Sequence, residues 1–338
     1  MRLYCGIDLH GNNVYLVVID EHDRVLYRRR LANDLAVIVA ALSSYQAQLM
    51  GIAVESTFNW YWLVDGLLEA GYRVHLAHPG AMQQYNGLKH SDDNSDAWWL
   101  AHMLRVGVLP EGYICPPEQR ALRDLLRKRS RLVQQRTANL LSLQGIVRRN
   151  TGQRLAAGVL KSLECGELSE LLKTPNVSLA AESTRRVVEC LDDEVKRLEQ
   201  EARRQIKPDP LFKLLKSIAG VGEVLAPVIQ LETGEINRFS SAGNYVSYCR
   251  AVGGRRLSNG KAKGRGNRKN GNPYLAWAWI EAAFGAIRHH APVRRFYERK
   301  KARTHQVVAR KAVAHKLARA GYYVMRDRVP FQIDLAFG

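Results

Sequence analysis

A series of short apolar stretches fills the first eighty residues, three of them ending in or near a carboxylate, and this limits the fold more than any other feature. Residues 2–9 alternate apolar with small or polar side chains and lead into Gly6-Ile7-Asp8, as a strand does when it carries an acid to its end. NVYLVVID at 13–20 and the stretch 25–31 read as two more strands around a polar turn at 21–24. Residues 34–49 have helical spacing, GIAVES at 51–56 is a short buried strand with Glu55 near its end, and 57–71 is again helical. YRVHLAH at 72–78 is a strand closed by Pro79-Gly80, and another helix starts near Asp93. Strands and helices alternating in this way build a mixed sheet covered by helices.

The order βββαβαβ followed by a helix matches the α/β pattern of an RNase H-like domain, expected here over residues 1–110. Pro116-Pro117 punctuates the chain, and Pro117-Glu118 is a sound helix start. From there to about 150 the sequence is helical and Arg-rich, with Leu122, Leu125, Leu126, Leu132, Val133, Leu140 and Leu141 as its apolar stripe. A second long helix is expected over 178–206, where Val188, Leu191, Val195, Leu198 and Ala202 alternate spacings of three and four. That is a coiled-coil seam, open to pairing within the chain or between chains, and it makes 117–206 a helical, coiled-coil insertion. Lys207-Pro208-Asp209-Pro210 opens a mainly α C-terminal domain at 207–325. There Gly220-Val221-Gly222 separates two helical segments in the helix-hairpin-helix manner. Gly220 and Gly222 would let the backbone approach a phosphate, a plain tight turn being the alternative.

Charge then narrows the partner. With 51 Lys and Arg against 32 Asp and Glu, the net charge is +19 and the pI about 9.9; such a balance calls for a polyanion, most often nucleic acid. The stretch 250–273 holds Arg250, Arg255, Arg256, Lys261, Lys263, Arg265, Arg268 and Lys269, six glycines and no acid, so both backbone and side chains can close on phosphates. A second basic cluster runs from Arg288 to Arg319. Tyr274, Leu275, Trp277, Trp279, Ile280 and Phe284 give this region a core, so it reads as a folded nucleic-acid-binding domain and not a basic tail. The five cysteines show no CxxC pair or zinc-ligand spacing, which suits a reducing cytoplasm. Nothing resembles a signal peptide or a membrane span.

Two-metal phosphoryl chemistry needs carboxylates from separate elements converging on ions roughly 4 Å apart. Asp8 and Glu55 at strand ends, with Asp93 and Asp96 sharing a face at a helix start, supply such a set; Asp92 is an alternative to Asp93. Mg²⁺ favours such oxygen ligands.

GIDLH, AVES, DNSDAWWLA, SIAGVGEVLA and the run from FSSAGNYVSYCRAVGG to GNPYLAWA together resemble the DEDD-type insertion-sequence transposases, also called bridge recombinases, over nearly the whole chain. The resemblance implies four metal-binding acids, here Asp8, Glu55, Asp93 and Asp96, and a serine nucleophile, here Ser258 in Arg256-Leu257-Ser258-Asn259-Gly260. It also implies a RuvC-like N-terminal domain, a coiled-coil insertion and a noncoding RNA that pairs with donor and target DNA. A homo-oligomer, dimer or tetramer, is expected as well. A serine on a Gly-rich loop among arginines can attack a phosphodiester while the cations stabilise the charged transition state. The expectation is thus an RNA-guided, Mg²⁺-dependent DNA recombinase. Its rivals are a hydrolytic nuclease or resolvase and a non-catalytic nucleic-acid-binding protein.

Overall fold

The computed structural model describes residues 1–82, 93–206, 209–252, 255–258, 261–265 and 270–338, and only the backbone of 93, 94, 165, 255–258 and 262–265. Asp92, Arg268 and Lys269 lie outside the described residues. The chain forms two compact units, one of residues 1–117 with 254–270, the other of 118–253 with 271–338.

The first unit begins with β1 (Leu3–Leu9), β2 (Asn13–Asp20), β3 (Val25–Ala32), α1 (Leu35–Ser43), β4 (Leu49–Glu55), α2 (Tyr61–Glu69), β5 (Val74–Ala77), the single turn α3 (Pro79–Met82) and α4 (Asp93–Arg105). The strands form one sheet in the order β3-β2-β1-β4-β5. β1, β2 and β3 pair antiparallel, while β4 pairs parallel with β1 and with β5. The expected order of elements is therefore present. The helix expected over 34–49 is shorter, because Leu49 is taken into β4 by pairing with Leu3. The helix expected from 57 starts at Tyr61.

Period-two alternation assigns the two faces. Leu3, Cys5, Ile7 and Leu9 of β1, with Ile52 and Val54 of β4, pack on Ile38 and Leu42 of α1 and Leu63, Val64 and Leu67 of α2. On the opposite face Val17 and Ile19 meet Ala97 and Ala101 of α4, and Ala53 and Ala77 meet its Leu100 and Met103. Gly6 lies on this second face. A Cβ there would sit 1.9 Å from the Ala97 carbonyl oxygen and 2.7 Å from the Ala101 nitrogen, so the helix backbone rests directly on the strand. Gly6→Ala should force α4 off the sheet, an overpacking change that typically costs about 1–3 kcal/mol. A lowered thermal midpoint together with lost strand cleavage is the expected result, and an unchanged midpoint would show that α4 adapts freely.

The far end of α4 is tied down as well. Asp23, in the turn between β2 and β3, accepts from Arg105 (2.6 and 2.7 Å) and lies 2.9 Å from His102 Nδ1. Partial burial alone would raise the Asp23 carboxyl, but the Arg105 and His102 hydrogen bonds outweigh it and hold it below the usual carboxylate range.

The second unit contains α5 (Pro117–Thr151), α6 (Ala157–Ser162), α7 (Cys165–Leu172), α8 (Pro175–Gln205), α9 (Pro210–Lys216), α10 (Leu225–Thr233) and α11 (Ala242–Tyr248). After the strand pair β6 (Arg255–Ser258) and β7 (Lys261–Arg265) it continues through α12 (Pro273–His289), α13 (Ala291–Lys301), α14 (Gln306–Asp327) and α15 (Ile333–Phe337). α5 and α8 run antiparallel within the chain, joined by the ion pairs Arg129–Glu199 and Arg136–Asp192. Val188, Val195 and Ala202 of the expected seam are buried, whereas Leu141 of the α5 stripe is 62% exposed. Leu143, Val147, Leu160, Leu168, Leu172 and Ala181 form a small core at the far end of this helical arm.

The C-terminal core is centred on α12, whose Leu275, Ala278, Trp279, Ala282, Ala283 and Ala286 are buried. Trp279 fits because Gly321 of α14 leaves room for its ring, and its Nε1 donates to the Tyr245 hydroxyl at 3.3 Å. Gly220 lies in the turn between α9 and α10 with φ +78°, where a Cβ would fall 2.0 Å from the Ala282 carbonyl oxygen. Glycine is demanded there by the close approach of the turn to α12. Gly222, by contrast, has open space around it. The described helices include none long and apolar enough to cross a membrane.

Candidate active site

Sheet register brings the first two acids together. Ile7 of β1 is paired with Val54 of β4, so Asp8 and Glu55 are the next residues along two parallel neighbours, about 4.8 Å apart in the pairing direction. By alternation both belong to the α4 face: Asp8 follows Gly6 by two residues, and Glu55 follows Ala53 by two. Asp8 is buried, with 4% of its surface exposed. Asp96 stands in the first turn of α4, beside the Ala97 that closes on Gly6. Asp93 opens the same helix, and its side chain is outside the described set.

His10 is a neighbour to which sequence reasoning gave no role, although it lies in the GIDLH motif. Its Nε2 is 3.4 Å from Asp8 Oδ2. The backbone carbonyl of His10 accepts from the side-chain amides of Asn33 (3.1 Å) and Asn59 (3.0 Å). Two loops thereby anchor the exit of β1 just past the acid. The signal for His10 was its two-residue spacing from Asp8, which leaves both side chains on one side of an extended chain.

Among the described residues no three His, Cys, Asp or Glu side chains stand close enough together to hold a metal ion. The donor chemistry still suits a hard divalent cation, because the acids on this face offer carboxylate oxygens and no sulfur.

The basic tract contains an antiparallel hairpin. Arg255 pairs with Arg265, Leu257 with Ala262, and Ser258 with Lys261, so Ser258 ends β6 directly before the tip. Residues 254–270 interrupt the second unit in sequence, yet belong to the compact unit that carries Asp8, Glu55 and Asp96. At the root of the hairpin, Asn270 Oδ1 is 3.6 Å from where a Cβ on Gly80 would lie, next to the end of β5.

Not every cation is available to a ligand. On the Arg-rich α5, Arg127 donates to the buried Glu232 at 2.5 and 2.7 Å, while Arg129 and Arg136 bind Glu199 and Asp192 of α8. Arg250 donates to the Gly271 carbonyl at 2.9 and 3.2 Å. Lys261 is exposed. Part of the positive charge of α5 is thus committed to holding helices together.

Two family profiles match the chain. A DEDD-type IS110 profile, described as "Transposase", covers residues 5–150, and one described as "Transposase IS116/IS110/IS902 family" covers 212–298. The chain is 23% identical over 295 residues to a "Probable family 20 transposase" of Pseudomonas aeruginosa, covering 84% of this chain and 83% of the relative. It is 26% identical over 291 residues to the "Transposase for insertion sequence element IS1111A" of Coxiella burnetii, covering 84% and 78%. The first profile spans Asp8, Glu55, Asp93 and Asp96, and the second spans the hairpin with Ser258, so the chain belongs to the IS110 family of insertion-sequence transposases, enzymes that cleave and join DNA strands.

Proposed function

We propose that this transposase exchanges DNA strands through a covalent link to Ser258, guided by a noncoding RNA from its own element. Ser258 Oγ displaces a deoxyribose oxygen from phosphorus and loses its proton, while the leaving oxygen gains one. Rejoining is the reverse, a strand hydroxyl displacing the serine, so the phosphodiester energy is conserved. Mg²⁺ bound by Asp8, Glu55, Asp93 and Asp96 would supply charge stabilisation at the phosphate. The observation that carries this reading is the return of residues 254–270, Ser258 included, to the unit that holds the acids. RNA guidance rests on the family likeness and on the net charge of +19, and assembly into a dimer or tetramer on the family likeness alone. In this reading Gly220, Gly222 and the cations at 255, 256, 261, 263, 265, 268 and 269 touch nucleic acid.

Binding to nucleic acid should be steeply salt-dependent. Replacing Arg255, Arg256, Lys261 and Lys263 by Ala should weaken it and flatten the log–log salt slope by roughly 0.9 for each duplex phosphate no longer neutralised. A salt titration with an unchanged slope would show that the tract faces away from the nucleic acid.

A further inference from the structure

From Arg288 to Lys311 nine arginines and lysines stand against a single acid, Glu298. This segment covers α13, the four-residue turn after it and the start of α14, and α14 lies beyond the residues matched by either family profile. α13 buries Val293 and Tyr297 against the core. Its Arg295, Arg299 and Lys300, with Arg303 in the turn, are exposed and have no side-chain partner among the described residues. α14 then begins with an exposed turn. His305 caps it by accepting from the Val307 amide at 3.3 Å, and Gln306, Val307 and Val308 all face solvent before Ala309 enters the core.

Two valines in succession, each 56% exposed and surrounded by cations, contribute nothing to this fold by burial. They and Gln306 are the side-chain types that meet base edges: a methyl packs on the thymine methyl, and the Gln amide pairs with adenine. One helical turn further on, Arg310 shares the Gln306 side of α14. Its guanidinium stacks 3.9 Å over Phe284 at the edge of a cleft of about 530 Å³ that Arg288 and His289 also line. The cationic strip therefore continues past the exposed turn.

We propose that α13 and the first turn of α14 form a surface that reads duplex DNA directly. Arg295, Arg299, Lys300 and Arg303 bind phosphates, and Gln306, Val307 and Val308 enter the major groove, whose width of about 12 Å admits a helix. The proposal rests on the chain acting on DNA, but not on Ser258 or on RNA guidance. It adds a protein-read sequence element to whatever base pairing selects.

The test uses the full chain, random-sequence DNA duplexes and, in parallel, random-sequence RNA. Arg299→Ala/Lys300→Ala/Arg303→Ala should weaken duplex binding and lower the log–log salt slope by roughly 0.9 for each cation removed, with an unchanged thermal midpoint because all three are exposed. Rounds of selection should enrich a short duplex motif with the wild type. Gln306→Ala/Val307→Ala/Val308→Ala should bind with the same salt slope but lose that motif preference by about tenfold or more. An unchanged slope and affinity in the cation variant, or an effect confined to RNA, overturns the proposal. So does the same enriched motif from the Gln306 variant, or none from the wild type. A wild type that binds no duplex at all would also remove the function proposed above, whereas the other outcomes leave that function standing.

Discussion

Replacing Asp8 by Ala, or more gently by Asn, should abolish strand cleavage and leave the protein folded. Asp8 is buried on the α4 face beside Glu55 and next to His10, and it adds nothing to the apolar core on the other side of the sheet. Loss of one carboxylate from a metal-binding set removes several kcal/mol of transition-state stabilisation. At about 1.4 kcal/mol per decade, that lowers the rate on the order of a thousandfold or more. Glu55→Ala and Asp96→Ala should behave alike, because the three acids would act as one unit and their effects would not add. The measurement is DNA cleavage with Mg²⁺, alongside thermal unfolding to confirm the fold. Near-normal cleavage by all three variants would remove the acidic site from the mechanism. Asp8→Asn keeps the shape of the side chain, so cleavage lost there with an unchanged midpoint separates charge from packing.

Ser258→Ala should remove cleavage entirely while leaving nucleic-acid binding nearly intact. The residue ends β6 opposite Lys261, next to the tip of the hairpin. A residue that only positions the backbone behaves differently: its loss weakens binding modestly and leaves slow turnover. Ser258→Cys should keep at most traces of activity, since a thiolate can attack phosphorus with altered geometry. The direct measurement incubates wild-type protein with DNA and Mg²⁺, denatures the mixture and looks for a protein–DNA band. Proteolysis and mass spectrometry then locate the linked residue. A link at Ser247 or at a tyrosine would reassign the nucleophile. No link at all, with cleavage persisting, would make water the nucleophile and the enzyme hydrolytic.

Much of the first unit was legible in the residues. Alternation in 2–9 and 51–56 names the buried positions, and the same parity puts Asp8 and Glu55 on the face opposite the large apolar side chains. Helix starts were less legible, because the chain from 56 to 60 is used to bring Asn59 to the His10 carbonyl, a hydrogen bond between residues far apart in sequence. His10 itself was in plain view two residues past Asp8, but that spacing alone is shared by ordinary turn residues, and only the folded chain shows its ring beside the acid.

What the sequence determined by itself is local. Period-two and period-three-to-four patterns set which segments are strands and helices and which side of each is apolar, because burial acts residue by residue on one face. The order of acids along the chain and its excess of positive charge were likewise already in the residues. Only the tertiary structure decided which elements meet. Parallel pairing with β4 put Glu55 beside Asp8, and the missing Cβ of Gly6 let α4 settle on β1. The α8 seam was resolved in favour of pairing within the chain by Arg129–Glu199 and Arg136–Asp192, ion pairs that also commit those arginines of α5. Gly220 serves the close approach of its turn to α12. Residues 254–270 were returned to the first unit across more than a hundred residues of intervening helix. Such choices depend on close approach between segments distant in sequence, and loop closure grows so slowly in cost with length that nothing in the local pattern records them.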